Sequence, residues 1–538
     1  MRCRPADASP VDEVPSGSGA KVGGREGHAE RDGQAQAGTE DERAPGHHVD
    51  GPKCLGLVPM VVVTVISPVV AAAVRLGVDV AGVIGRRVFT HVRAAPPAAF
   101  SHVDSAAMRA SPADSLESGL IASLRGLDPD GRRLFASRVL RMFAYGSLAV
   151  VLVLYLASLG LDPLTIGAIL TLTLVGDTII SLWLTTSADR IGRRRVLVAG
   201  SLLMVVAGVA FVATSWVPLL IIAATVGVIS PTGNEVGPFL AVEQAALSQA
   251  TPDARRTSVF AWYNVAGYVA TAVGALAAGL ATQALLTAGF TDTDAYRAIL
   301  MAYAVLGLAM AAIFARVSAA VEASPATGAP DGIRLRLGLG RSRGIVTRLS
   351  ALFALDAFGG GFVPQSLIAY WFHLRFGVEP AVLGGVFFGA NLLAAVSSLS
   401  AARIAARIGL INTMVFTHLP SNVLLILVPL MPSLPLAVAC LLLRYTLSQM
   451  DVPTRQSYVM AVVEPGERSA AAGVTGIART TGAALSPALS APLVASAGLA
   501  ALPFFLAGGL KIAYDLLLYR AFRAVPPAPP PRLTPARD

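Results

Sequence analysis

Cysteine is scarce in this chain: three in 538 residues, Cys3, Cys54 and Cys440. None forms a CxxC pair or stands at ligand spacing from a histidine, so neither a disulfide framework nor a zinc site can be assembled. Seven histidines add no recognisable nucleophile–base or metal constellation, and an enzyme is not expected. No metal or other cofactor is expected either. A Walker motif is missing, which excludes nucleotide hydrolysis as an energy source. Charge is also sparse, at 14% of residues.

What is abundant is apolar surface. Hydrophobic residues make up 54% of the chain and the mean hydropathy is +0.64, outside the range of a soluble domain. The chain reads as a polytopic protein of the lipid bilayer. A net charge of +9 raises the question of nucleic acid. The basic residues fall in short clusters between apolar runs, where they set topology, and they leave no basic face for a nucleic-acid partner.

Taken in order, residues 1–131 are expected to be an N-terminal extension, with 1–54 too poor in large apolar side chains to offset chain entropy. The run 55–74 is uncharged and long enough to span, yet it holds Pro59 and Pro68. An extra span, an amphipathic element and an upstream extension outside the working protein all remain open for it. Twelve spans follow, at 136–159, 164–187, 194–215, 217–246, 257–287, 296–318, 349–374, 381–403, 410–430, 434–457, 470–496 and 499–523. They divide into bundles at 132–318 and 349–523, joined by a Pro/Gly/Arg-rich cytoplasmic linker at 319–348 and followed by a Pro-rich tail at 524–538.

The densest charged turn is Ala188–Arg195, between the second and third spans. Placing it inside the cell also puts Arg255, Arg256, Arg403, Arg407, Arg468, Arg520 and Arg523 there, and both ends of the twelve-span core become cytoplasmic. The turn has a partial copy. Arg190-Ile191-Gly192 returns as Arg407-Ile408-Gly409, 217 residues on, and Gly160–Gly167 returns as Gly377–Gly384 at the same spacing. Pro238 and Pro453 hold matching places and are expected to kink the fourth and tenth spans. The chain is built twice, the arrangement that permits alternating access around a site between halves.

The turn, the two sets of six spans and the repeat together resemble the major facilitator superfamily over about residues 132–523. Asp189, Arg190, Gly192, Arg193 and Arg194 match the family's loop signature, with Thr185 in place of its first glycine. The resemblance implies an all-α fold of twelve transmembrane helices in two pseudo-symmetric six-helix bundles, and it assigns those loop residues to a cytoplasmic gate latch. Ala406 stands where Asp189 would recur, so the latch should be one-sided. The arginine signature in the fourth span and the Gly-Pro signature in the fifth that mark the family's drug antiporters have no clear match.

Ionisable groups at bilayer depth are costly and mark functional candidates. Asp177, midway along the second span, is the expected proton carrier, with Glu235 assisting; an interhelical hydrogen bond is the alternative for Asp177. Arg444, Ser448, Asp451 and Arg455 fall on one face of a continuous tenth span and are expected to line a cavity. The equivalent fourth span carries Glu235 and Glu243 on nearly one face, and the two spans read as gate helices, with an ion pair between halves as the alternative. Arg479, Asn391, Tyr145 and Gln365 are further cavity candidates. Arg444 and Arg479 suit an anionic group, guanidinium being the preferred partner of carboxylate and phosphate. Arg141 and Asp356 read as near-terminal groups that snorkel or pair, His418 as a hydrogen-bonding residue, Lys511 and Asp515 as a local pair, and Trp262-Tyr263-Asn264 as an interfacial anchor.

The expected function is secondary active transport of a small molecule across the plasma membrane by a monomer, coupled to protons or another ion, with drug efflux one occupation. An organic-anion or sugar-phosphate type of carrier is the alternative within the fold, and a non-transporting receptor or scaffold the alternative outside it.

Overall fold

The computed structural model describes residues 127–524, apart from 236, 238, 252, 323–339, 465 and 466. The run 55–74, Pro238, most of the N-terminal extension and linker, and the tail lie outside the described residues, as do the side chains of Asp189 and Arg190. Helix is the only regular structure among the described residues.

The repeat appears as geometry. Helix α1 (Pro129–Ser158) begins at the N-cap Asp128, whose carboxylate accepts the Gly131 N–H at 2.7 Å. Helix α2 (Pro163–Ile191) starts at Asp162-Pro163, and α3 (Arg193–Ala213) follows the single residue Gly192 at φ 102°. In the second half, α10 (Pro380–Ile408) starts at Glu379-Pro380, and α11 (Leu410–Leu427) follows Gly409 at φ 86°. Proline at N1 forgoes an N–H that has no helical partner, and glycine alone adopts positive φ without strain. Gly160 and Gly377, at φ 75° and 64°, likewise turn the chain into α2 and α10.

Among the described residues, nine helical segments are long and apolar enough to span a membrane. The other three expected spans, 217–246, 434–457 and 470–496, are each divided, and so is 349–374. The fourth consists of α4 (Val217–Val226) and α5 (Phe239–Ala250), the seventh of α8 (Arg343–Gly361) and α9 (Gln365–Phe376). The tenth consists of α12 (Leu434–Ser448) and α13 (Asp451–Val462), the eleventh of α14 (Arg468–Leu485) and α15 (Pro487–Ala495). Helices α6 (Asp253–Thr287), α7 (Asp292–Ala315) and α16 (Leu502–Phe522) are continuous.

Local chemistry accounts for the breaks. After Val226 comes Ser230-Pro231-Thr232-Gly233, and Val228 and Gly233 take positive φ. Pro364 follows three glycines and cannot donate to a helix through 361. Pro453 does not kink a continuous tenth helix; it lies in the first turn of α13, where its missing N–H costs nothing. Backbone freed within a bilayer must find other partners. Tyr303 donates to the Val228 carbonyl at 2.8 Å, Ser486 and Ser490 to the Phe358 and Phe362 carbonyls, and the Gln449 N–H donates to Ser397 Oγ at 3.2 Å.

The two halves meet along α6 and α10, where a Cβ at Gly279 would stand 2.3 Å from the Pro380 carbonyl oxygen and 2.8 Å from Gly384 Cα. They also meet along α2 and α15, where the Ala488 N–H donates to Thr171 Oγ1 at 3.0 Å. A third junction joins two breaks: the Ser366 N–H donates to the Pro231 carbonyl at 3.1 Å.

Candidate functional site

The first half buries an ion network between α1, the α4–α5 break and α5. Arg141, with no exposed surface, donates Nη1 and Nη2 to the two oxygens of Glu243 at 2.8 and 2.6 Å, and Nε to Glu235 Oε1 at 2.7 Å. Arg138 pairs with the other oxygen of Glu235. Ser137 donates to Glu243 Oε1 at 2.7 Å and Tyr263 donates to Oε2, while Phe239 lies under the Arg141 guanidinium at 4.7 Å. Two cations face two carboxylates, and hydroxyls fill the remaining acceptor positions of Glu243.

This bears on three expectations. Of snorkelling and pairing, Arg141 does the second, as the centre of the network. Tyr263 is fully buried against Glu243 and is no interfacial anchor. Glu235 is held by two arginines, so it is not a free carboxylate. Arg138 was not singled out, although its place three residues before Arg141 on one helical face was a legible signal.

Asp177 sits apart. It has no cation within ion-pair distance among the described residues; Oδ1 accepts the Gly237 N–H at 2.5 Å and the Ser181 hydroxyl at 3.0 Å. Tyr145 is buried in the core of the first half.

In the second half Asp356 of α8 is the hub. Lys511 of α16 reaches Oδ1 at 2.6 Å, and Arg455 of α13 reaches Oδ2 at 3.0 Å and Asp451 at 3.3 Å. Lys511 is therefore spent on Asp356 and forms no local pair with Asp515, which is held by His418 and Asn422, each at 2.9 Å. The division at Gln449–Met450 puts Arg444 and Ser448 on α12 but Asp451 and Arg455 on α13, so the four share no continuous helical face. All four are buried.

Two of the expected cavity arginines, Arg444 and Arg479, have no ion-pair partner among the described residues. Arg444 is 9% exposed, its Nε bonds to nothing, and its guanidinium lies over the Tyr445 ring at 5.2 Å. Arg479 on α14 also has a buried, unbonded Nε. Polar capacity is also left open at the α8–α9 break. Gln365, 5% exposed, accepts from Asn391 Nδ2 at 3.3 Å through Oε1, but its Nε2 is buried without a partner. No group of metal ligands occurs among the described residues.

The Arg193 turn is tied to the start of the linker. Glu322 accepts the N–H groups of Arg193 and Arg194 at 2.6 and 3.3 Å, supplying the cap that Gly192 lacks. Glu467 does the same for Gly340, Arg341 and Ser342, at 2.8, 3.2 and 3.0 Å, just before α8. These N–H bonds, led by that of Gly340, hold the Glu467 carboxyl below the usual carboxylate range.

Twelve expected spans in two like halves, divided helices whose breaks meet between the halves and buried charge in each half define a transporter fold. The family model of the Major Facilitator Superfamily matches residues 134–487, and the chain belongs to that family. It is 29% identical to the Uncharacterized membrane protein YJR124C of Saccharomyces cerevisiae (strain ATCC 204508 / S288c) over 424 residues, covering 74% of this chain and 94% of that one. Its fold is similar to that of the nucleoside transporter NupG (D323A mutant), at a TM-score of 0.59 and 14% identity, covering 73% and 99% of the two chains. The D-xylose-proton symporter superimposes at 0.54 with 13% identity, covering 72% and 97%.

Proposed function

We propose that the protein is a secondary active transporter of a small organic anion, working as a monomer by alternating access between bundles 132–318 and 349–523. One observation carries the substrate class: of the six cations named above within the helical bundle, Arg138, Arg141, Arg455 and Lys511 are all neutralised by carboxylates, whereas Arg444 and Arg479 are not. A buried unpaired guanidinium is costly, and a carboxylate or phosphate on the substrate would satisfy it. The unbonded Gln365 Nε2 offers a further donor to the same solute.

Proton coupling is assigned to Asp177, the carboxylate midway along α2. Its two hydrogen bonds support the ionised form, and a proton would release Gly237 and with it the α4–α5 break. Arginine-rich turns at one end favour a plasma-membrane topology with both ends of the core cytoplasmic. In that orientation the Gly279–Gly384 contact lies on the outer side, as in an inward-facing carrier.

The test uses proteoliposomes with an imposed pH gradient and a panel of carboxylated, phosphorylated, neutral and cationic amphiphilic solutes. Gradient-dependent movement of an anion, lost in Arg444→Gln and Arg479→Gln and uncoupled in Asp177→Asn, supports the reading. Movement of cationic amphiphiles alone, indifferent to both arginines, sinks it in favour of drug efflux.

A further inference from the structure

The second half contains a titratable pair that the transport reading does not use. His418 of α11 and Asp515 of α16 are both buried, with Nδ1 and Oδ1 2.9 Å apart. A contact of that length between an imidazole nitrogen and a carboxylate oxygen holds a proton between them. Asn422 Nδ2 donates to Asp515 Oδ2 at 2.9 Å and lies 3.2 Å from the same ring nitrogen. The other nitrogen, Nε2, faces Asp356 Oδ1 at 3.9 Å, the oxygen that Lys511 holds at 2.6 Å.

The charged groups around the ring come from four more helices. Asp356 faces it from α8, Asp451 and Arg455 from α13, Lys511, Asp515 and the Tyr514 hydroxyl from α16, and Arg479 acts on the same cluster from α14. Within the bonded set, three carboxylates meet two fixed cations, Lys511 and Arg455. A second proton on the imidazole adds a cation to that bonded set, and it would have to sit on Nε2, pointed at Asp356.

We propose that His418, gripped by Asp515, is a proton-binding site of the second half, and that its proton competes with Lys511 for Asp356 Oδ1. The tie it regulates joins α11 and α16 to α8 and α13, so proton binding loosens the hold of α16 on α8. The site is separate from Asp177 and does not depend on the substrate assignment.

The experiment is nitrogen NMR of histidine-labelled full-length protein in lipid nanodiscs between pH 5 and 9, with His418→Gln to assign the ring. A resonance absent from His418→Gln that moves between neutral and imidazolium positions is expected. Its proton affinity should fall about tenfold in Asp515→Asn, rise in Lys511→Gln, and stay unchanged in Asp177→Asn; tenfold is one pH unit in midpoint. A His418 ring that keeps one state across the range overturns the proposal without any variant. So does a midpoint that ignores Lys511→Gln, should Asp515→Asn fail to insert.

Discussion

Arg141 grips Glu243 through two parallel bonds of 2.8 and 2.6 Å, and the second half makes the same bridge with its polarity reversed. In the first half the leading helix supplies the cation and the divided fourth segment the carboxylates. In the second, Asp356 of α8 is the acid and Arg455 of the divided tenth segment the base, 3.0 Å apart. Both bridges stay inside one half, so each half can move without breaking them.

Removing the carboxylate of Glu243 leaves Arg141 fully buried with only Glu235, already shared with Arg138. Glu243→Ala is expected to lower stability by roughly 3–5 kcal/mol, the usual cost of orphaning one member of a buried pair. The double variant Arg141→Met/Glu243→Leu should recover most of that loss, because Arg138 and Glu235 still neutralise each other. Thermal unfolding of the purified proteins in detergent checks both; equal losses in the single and double variants would contradict the account.

Two glycines four residues apart on α10 and a third on α6 separate close approach from helix propensity. Gly279→Ala drives a methyl into the Pro380 carbonyl oxygen and should cost about 1–3 kcal/mol. Gly389→Ala meets only the flexible Leu442 side chain at 3.3 Å, and Gly385→Ala meets nothing within 4 Å. Gly385→Ala should therefore gain up to about 1 kcal/mol from helix propensity alone. Melting temperatures of the three variants rank the sites, and a stabilised Gly279→Ala would refute the contact.

Glu467 gives a pH dependence with a definite sign. Its folded pKa lies below the unfolded value, so the stability it contributes is complete above the unfolded carboxylate pKa and is lost as pH falls through the folded one. Protection of the Gly340, Arg341 and Ser342 amides against hydrogen exchange should fall through that acid window. In Glu467→Gln the protection should already be low at neutral pH and no longer respond to acid.

At the other end of the linker, Glu322→Ala should expose the first N–H groups of α3 and cost about 1 kcal/mol, as loss of a helix cap does. Faster exchange at Arg193 and Arg194, with Gly340–Ser342 unchanged, is the expected pattern. Equal loosening at both places would mean that the two caps are not independent.

Much of the architecture was legible because capping chemistry is local. Asp162-Pro163 and Glu379-Pro380, Gly192 and Gly409 stand at one spacing and start the same helices in both halves. The divisions were hidden because hydropathy runs unbroken across them, even though Ser230–Gly233 and Pro364 carry turn chemistry. The networks were harder still. Arg141 and Glu243 stand 102 residues apart, and Asp356 and Lys511 155, and no periodicity on one helix announces its partner on another. Where two charges share a helix, as with Asp451 and Arg455, the i, i+4 spacing makes the pair legible but not the third member, Asp356.

The reversed bridges also bear on membrane voltage. A charge carried across the full field is worth about 2.3 kcal/mol per 100 mV. A bridge whose two ends travel together carries almost none, so the paired clusters are electrically silent when the halves rock. Arg444 and Arg479 are exceptions of one sign and Asp177 of the other. On the proposed reading, an anion seated on those arginines would cancel their share of the charge on which the potential acts.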